Sequence, residues 1–202
     1  MSYLAQESLD PVTLRRVFLL ATRQLYSDPL NYGDLSEKLS RFVWRPELTD
    51  TTLPVELDFE YNPVELQPRH AVYVGIGDCG FSTVVLDHRA DISDDRAKVT
   101  YMQAATTTFR LRYVSPTPDE ALYLATVGAA YYMAMSRVFV RNLGLSRFDL
   151  QALSAPQLID KAPTRLFEVS LVSNLAFNFN IVSTLEGQRL KTFQLSTLPL
   201  TP

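Results

Sequence analysis

The stretch VYVGIGDCGFSTVVLD, residues 72–87, holds the residues best placed by type and spacing to do chemistry. Gly75, Gly77 and Gly80 spell G-x-G-x-x-G straight after an apolar run. In a dinucleotide-binding unit such glycines let the backbone approach a pyrophosphate, and a helix starting there turns its N-terminus toward the anion. Here the helix is missing: Phe81, Ser82, Thr83, Val84, Val85 and Leu86 follow, and polar turn formers come next. β-Branched and aromatic residues of this kind favour a strand. Asp78 also sets a negative charge where phosphates would lie, and Asp91, at the distance of a ribose-binding acid, falls in a polar turn. The reading is a tight turn or bulge between two antiparallel strands, with glycine supplying a positive φ. No cofactor is expected at Gly75, Gly77 or Gly80.

The remaining candidates are thinner. Cys79 could serve as a nucleophile with His70 or His88, but a lone cysteine in a glycine turn reads first as a small residue. One cysteine excludes an internal disulfide and a cysteine-based zinc site, and two histidines leave little for a histidine cluster. Asp87, Asp91, Asp94 and Asp95 lack the ligand spacing and the closing glutamate of a calcium loop. G-x-S-x-G, H-E-x-x-H and G-x-x-x-x-G-K-[ST] do not occur. Arg137 and Arg141 stand one helical turn apart and could grip a phosphate. Arginines near a helix C-terminus are favourable without any ligand, so solvent or a neighbour's acids suit them better. Arg110 and Arg112 share the polar face of a strand, again a solvated face or an interface. No catalytic, cofactor-binding or metal-ligating residue is assigned, and the chain is not read as an enzyme.

These residues must be positioned by a folded core, and the composition allows one. Of 202 residues, 47% are hydrophobic and 20% charged, which places the chain among globular domains rather than disordered ones. The net charge of −3 argues against a generic nucleic-acid binder. The opening MSYLAQESLDP lacks the basic flank and apolar run of a signal peptide. Residues 121–140 are long enough to span a bilayer, but Arg137 and the small and polar residues there argue against it.

The pattern predicts a mixed α+β fold. Asp10-Pro11 reads as an N-cap and first-turn proline, and Val12, Leu14, Val17, Phe18, Ala21 and Leu25 then recur at helical spacing, giving a helix over 11–27. Residues 28–70, punctuated by five prolines, read as a long irregular insertion or arm. Within it VELDFEY alternates Val55, Leu57, Phe59 and Tyr61 with acids, the pattern of an extended strand. Strands are expected at 71–76, 81–86 and 97–114. Thr117-Pro118-Asp119-Glu120 forms a capping box, and the helix it starts runs to about 142, ending at Gly144. From Ala121 to Met135 only Thr126 is polar, so this helix should be buried on nearly every side, and a small sheet covers only one. Residues 145–163 read as a linker. The odd positions Val169, Leu171, Leu175, Phe177, Phe179 and Ile181 mark a long strand, or a strand pair, over 165–184, with a turn at 185–188. Residues 189–202 read as an extended C-terminal arm. The expected architecture is one domain: an antiparallel-rich mixed sheet packed by the N-terminal helix and one long buried helix.

The order of elements resembles the neck proteins of tailed bacteriophages, most of all the tail terminator. The resemblance rests on the N-terminal helix, the long excursion, the strand ending FRLRYV, the helix PDEALYLATVGAAYYMAMSRVFVRNL and the strands EVSLVSNLAFNFNIV. It covers most of residues 10–184 and carries no invariant motif. It implies a structural virion protein forming a six-fold ring at the head–tail neck, capping the tail tube and joining it to the head connector proteins. DNA would pass through the lumen without sequence-specific binding, and the protein would assemble in the host cytoplasm. Other neck or baseplate roles, such as connector adaptor or head completion, share these features; an enzyme of unrecognised type and a nucleic-acid adaptor are the other classes. The subunit-interface candidates are Val55, Leu57, Phe59 and Tyr61, then Arg137 and Arg141, then Leu190, Phe193, Leu195 and Leu198. Segments 45–66 and 189–202 are expected to lie on neighbouring chains, because an isolated extended segment does not offset the entropy of ordering it.

Overall fold

A computed structural model describes residues 10–47, 52–83, 89–92, 98–186 and 189–196. The fold is α+β. Helix α1, Pro11–Leu25, begins where Asp10 Oδ1 accepts the Thr13 amide at 2.6 Å. It buries Leu14, Phe18, Thr22 and Leu25 on one stripe. A 3-10 segment, Pro29–Leu35, and a single helical turn, α2 (Ser36–Leu39), follow. Among the described residues nine strands then form one sheet: β1 Val55–Leu57, β2 Ala71–Ile76, β3 Gly80–Thr83, β4 Arg89–Ile92, β5 Lys98–Ser115, β6 Leu145–Leu153, β7 Gln157–Leu158, β8 Phe167–Glu186 and β9 Arg189–Ser196. Helix α3, Pro118–Leu143, links β5 to β6. The main path runs β1-β2-β5-β8-β6, antiparallel except for the parallel β1–β2 edge.

β5 and β8 form the spine, paired from Lys98↔Thr184 to Ser115↔Phe167. Strands of this length reach roughly 60 Å at about 3.4 Å per residue, whereas α3, at about 1.5 Å per residue, reaches only about 39 Å. The helices therefore cover one end of the spine, and the other end is flanked by β4 on β5 and by β9 on β8.

Both helices lie on the sheet face that carries Phe109, Leu111, Tyr113, Val169, Leu171, Leu175 and Phe177, all buried, as the odd-numbered register predicts. At its centre Phe18 stacks on Phe109 at 4.3 Å, with Tyr132, Phe139 and Phe148 packed around them. Two hydroxyls bridge the layers: Thr22 and Tyr132 share a hydrogen bond of 2.8 Å, and Tyr26 donates to the Leu124 carbonyl at 2.8 Å, whereas the buried hydroxyls of Tyr113 and Ser173 have no hydrogen-bond partner among the described residues. A second, smaller cluster of Leu66, Ala71, Tyr73, Val114 and Leu166 covers part of the opposite face.

Four expectations need correction. First, VELDFEY is a strand only over Val55–Leu57; Asp58–Glu60 turns into a 3-10 helix. That short strand adds to the chain's own β2, with Val55 opposite Val72, and the excursion buries Tyr32, Leu39, Phe42 and Leu53 in the main core. Segment 45–66 is thus ordered by its own domain where it is described. Second, 189–196 is not an unpaired arm: as β9 it pairs with β8 of the same chain from Asn180↔Ser196 to Glu186↔Arg189. Third, 145–153 is not a linker but the edge strand β6, whose Leu145 and Phe148 are buried under α3. Its register shifts between Leu145 and Arg147 and between Leu150 and Ala152, and these irregularities hid the period-two alternation.

The fourth correction concerns the glycine loop. β2 and β3 do not form a hairpin. Both pair with β5, one after the other along its edge, and residues 77–79 interrupt that edge opposite Thr107 and Thr108. The Gly77 amide still bonds the Thr108 carbonyl at 2.7 Å. The only described glycines with positive φ are Gly33 and Gly144. Space, not φ, demands glycine here: a Cβ on Gly77 would lie 2.3 Å from Thr108 Oγ1, and one on Gly75 would lie 2.7 Å from Asp58 Oδ2. Gly144 does adopt the left-handed cap that ends α3.

Candidate subunit interface

The start of α3 gathers polar groups that the sequence pattern did not connect. Thr117 does not bond the first-turn amides as a capping box predicts; its hydroxyl donates to Glu120 Oε2 at 2.6 Å, and its own amide donates to Ser115 Oγ at 3.1 Å. His70 Nε2 lies 2.7 Å from the same Glu120 oxygen, and Arg41 pairs with the other. The His70 ring packs on Phe42 at 4.2 Å. Burial raises the Glu120 carboxyl, but the bonds from Thr117 and His70 and the charges of His70 and Arg41 outweigh it, leaving its pKa below the ordinary value of 4.5. Every partner of Glu120 thus fastens the 28–70 excursion and the β5–α3 turn to the helix. The arrangement is a clasp.

A second clasp holds Tyr61. Its hydroxyl donates to Glu168 Oε2 at 2.6 Å, its ring meets Tyr73 edge-on at 5.1 Å, and the Arg112 guanidinium lies 4.8 Å above it. Arg112 reaches Asp58 at 3.0 Å and Glu168 at 3.4 Å. Burial and the bond to Glu168 push the Tyr61 pKa well up. Arg112 is therefore tied within the domain, whereas Arg110, on the same face, is exposed.

The interface candidates separate on this frame. Val55 is buried, and Leu57 and Tyr61 are half-buried against their own domain. Phe59 is 71% exposed. Arg137 and Arg141 are exposed on α3 and have no ion-pair partner among the described residues. For Leu190, Phe193 and Leu195 the backbone pairing on β8 is described; their side chains, and Leu198 entirely, lie outside the described residues. Cys79 is half-buried against the main core, His70 is engaged by Glu120, and His88, Asp87, Asp94 and Asp95 lie outside the described residues. Among the described residues no group of His, Cys, Asp and Glu could hold a metal ion, and no helix is long and apolar enough to cross a membrane.

What the arrangement offers instead is an uncovered surface. The sheet takes one side of α3, burying Leu124, Ala125, Gly128, Tyr132 and Phe139. The other side presents Ala130, Met133, Ala134 and Val138, with Met133 59% exposed, beside Arg137 and Arg141. A groove of about 420 Å³ runs between this stripe and β6, lined by Met133, Ser136 and residues 148–151. β6 is also a sheet edge whose outer backbone has no strand beside it among the described residues. At the opposite edge, Phe59 and Val64 are exposed next to Glu60 and Glu65. Val64, Met133 and Val138 were not singled out from the sequence; only the apolar excess of α3 pointed to such a face. Comparison of the chain with protein-family models and with curated proteins finds no match.

Proposed function

We propose that this chain is a structural subunit of a tailed-phage neck, closing with copies of itself into a ring that caps the tail tube and meets the head connector. The observation that carries this reading is the outer face of α3. A helix apolar on both sides has one side covered by its own sheet and the other left open, with Met133 59% and Val138 41% exposed. Apolar surface of this kind is stabilised by a second protein layer. The order of elements supports a terminator-like role among structural proteins. In such a ring the function is geometric: the lower face stops growth of the tube, the upper face receives the connector, and the lumen admits DNA. A net charge of −3 suits a lumen that DNA slides through, since fixed cations would hold phosphates by counterion release. An enzyme remains the rival class, and it predicts a defined small-molecule ligand, not self-association.

The test is the mass of the purified chain by light scattering, followed by electron microscopy. A closed ring, found at the junction of head and tail in labelled particles, supports the proposal. A monomer at every concentration, or a position elsewhere in the particle, overturns it.

A further inference from the structure

Resting on that ring reading, we propose that its subunits join head to tail, the outer face of α3 and the β6 edge of one subunit seating on the acidic β1 edge of the next. The two surfaces lie at opposite ends of the strand order β1-β2-β5-β8-β6. Each has an exposed apolar centre with charge beside it, and the unpaired charges are opposite: Asp149 in the α3–β6 groove is paired with Arg147, and Arg23 at the β1 backbone donates to the Val55 carbonyl at 3.1 Å. On α3 the centre is Met133 and Val138, with Arg137 and Arg141 on the same helical stripe. At the β1 edge the centre is Phe59, 71% exposed, and Val64, 62% exposed, with Glu60 and Glu65 adjacent. Glu56, Glu60 and Glu65 also converge on one groove there, where Arg69 neutralises only Glu56, at 3.4 Å.

Charge decides between occupants. Two α3 faces set together around a two-fold axis would oppose arginine with arginine, and two β1 edges would oppose carboxylates. Like charges brought together at an interface are costly, whereas the mixed pair is complementary. A contact between two different patches is heterologous, and repeated around an axis it closes a ring. The about 420 Å³ open groove beside Met133, lined also by Ser136, Phe148, Asp149, Leu150 and Gln151, offers the exposed Phe59 ring an apolar contact at Met133, and an aromatic side chain buried at the centre of an interface carries much of its energy.

Charge reversal tests this directly. Arg137→Glu with Arg141→Glu, and separately Glu60→Lys with Glu65→Lys, should each weaken self-association by roughly tenfold or more. Both pairs are exposed, and circular dichroism of each variant checks that the fold is retained. Mixing the two variants, or combining all four changes in one chain, should restore assembly, because opposite charges then face each other again. Phe59→Ala should weaken association without any change of charge. If the unaltered chain assembles but the glutamate reversal leaves its mass distribution unchanged, the β1 edge is not the partner; this proposal then fails while the ring reading stands. If the unaltered chain never assembles, both fail.

Discussion

Tyr132 and Met133 are neighbours in sequence and opposites in fate. Tyr132 is fully buried, its ring among Phe18, Phe109, Phe139 and Phe148 and its hydroxyl bonded to Thr22. Met133 is 59% exposed. The inner face of α3 is aromatic and jigsaw-fitted, and even its glycine has a reason: a Cβ on Gly128 would stand 1.9 Å from the Tyr113 hydroxyl. The outer face is made of Ala, Met and Val with arginines; residues 31–35 flank it at Ala130 and Ala134 across an open groove, and Met133 and Val138 beyond them stay exposed. Hydropathy rates both faces as apolar. Packing separates them: one is a core, and the other has the composition of a surface that closes against another molecule.

The largest break in that comparison comes from the inner face. Phe18→Ala removes the ring at the centre of the aromatic cluster and should cost about 3–5 kcal/mol of unfolding free energy, read from denaturant titration. A loss under about 1 kcal/mol would mean that the cluster is loosely packed. Next comes Gly128→Ala, where two principles disagree on the sign. Helix propensity favours alanine by about 1 kcal/mol. The steric conflict with Tyr113 should win, since overpacking costs about 1–3 kcal/mol, so the variant should be less stable. Tyr113→Phe in the same chain should recover part of the loss. A more stable Gly128→Ala variant would show that Tyr113 moves aside freely.

How much of this was legible in the sequence follows from the range of the interactions. α1, the start and end of α3, and the odd-numbered face of β8 are written locally, in Asp10-Pro11, Thr117-Pro118, Gly144 and the alternation from Val169 to Phe177. β6 reads as a linker in the sequence because its bulges break the alternation, and bulges are set by the partner strand. The glycines read as a hairpin turn with positive φ, which the structure does not have, because their cause, the Thr108 and Asp58 side chains, is distant in sequence. Of the interface candidates, Phe59, Arg137 and Arg141 are exposed, whereas Val55 is spent inside the domain. Alternation in VELDFEY marks an apolar edge without saying which strand will cover it, and β2 lies near enough in the chain to do so.

The clasp at the start of α3 is a smaller effect with a definite pH signature. Glu120→Gln should cost about 1 kcal/mol near neutral pH, the scale of a hydrogen-bonded helix-start side chain. The exposed Arg41 pair adds little. The folded-state pKa of Glu120 is depressed, so its contribution is present above the unfolded value of about 4.5 and is lost as pH falls through the folded one. The stability gap between the unaltered chain and the variant should therefore narrow progressively as pH falls below 4.5. A gap that is constant from pH 7 to pH 3 would mean that the carboxylate charge is not what fastens the clasp.

The smallest effect on the single chain is expected at Met133, and it sharpens the comparison most. Met133→Gln keeps the length of the side chain and its helix propensity while removing its apolar end. On a face with no partner that change falls within the usual range of surface substitutions, about 0.5 kcal/mol either way. The measurement is therefore made at two protein concentrations. In dilute solution the variant and the unaltered chain should unfold at the same denaturant midpoint. At high concentration only the unaltered chain should gain stability, because association draws on the folded state alone and raises its apparent stability by mass action. A variant that loses more than about 1 kcal/mol when dilute would place Met133 in the core of the single chain. A variant that gains as much as the unaltered chain when concentrated would leave the outer face of α3 with no part in assembly.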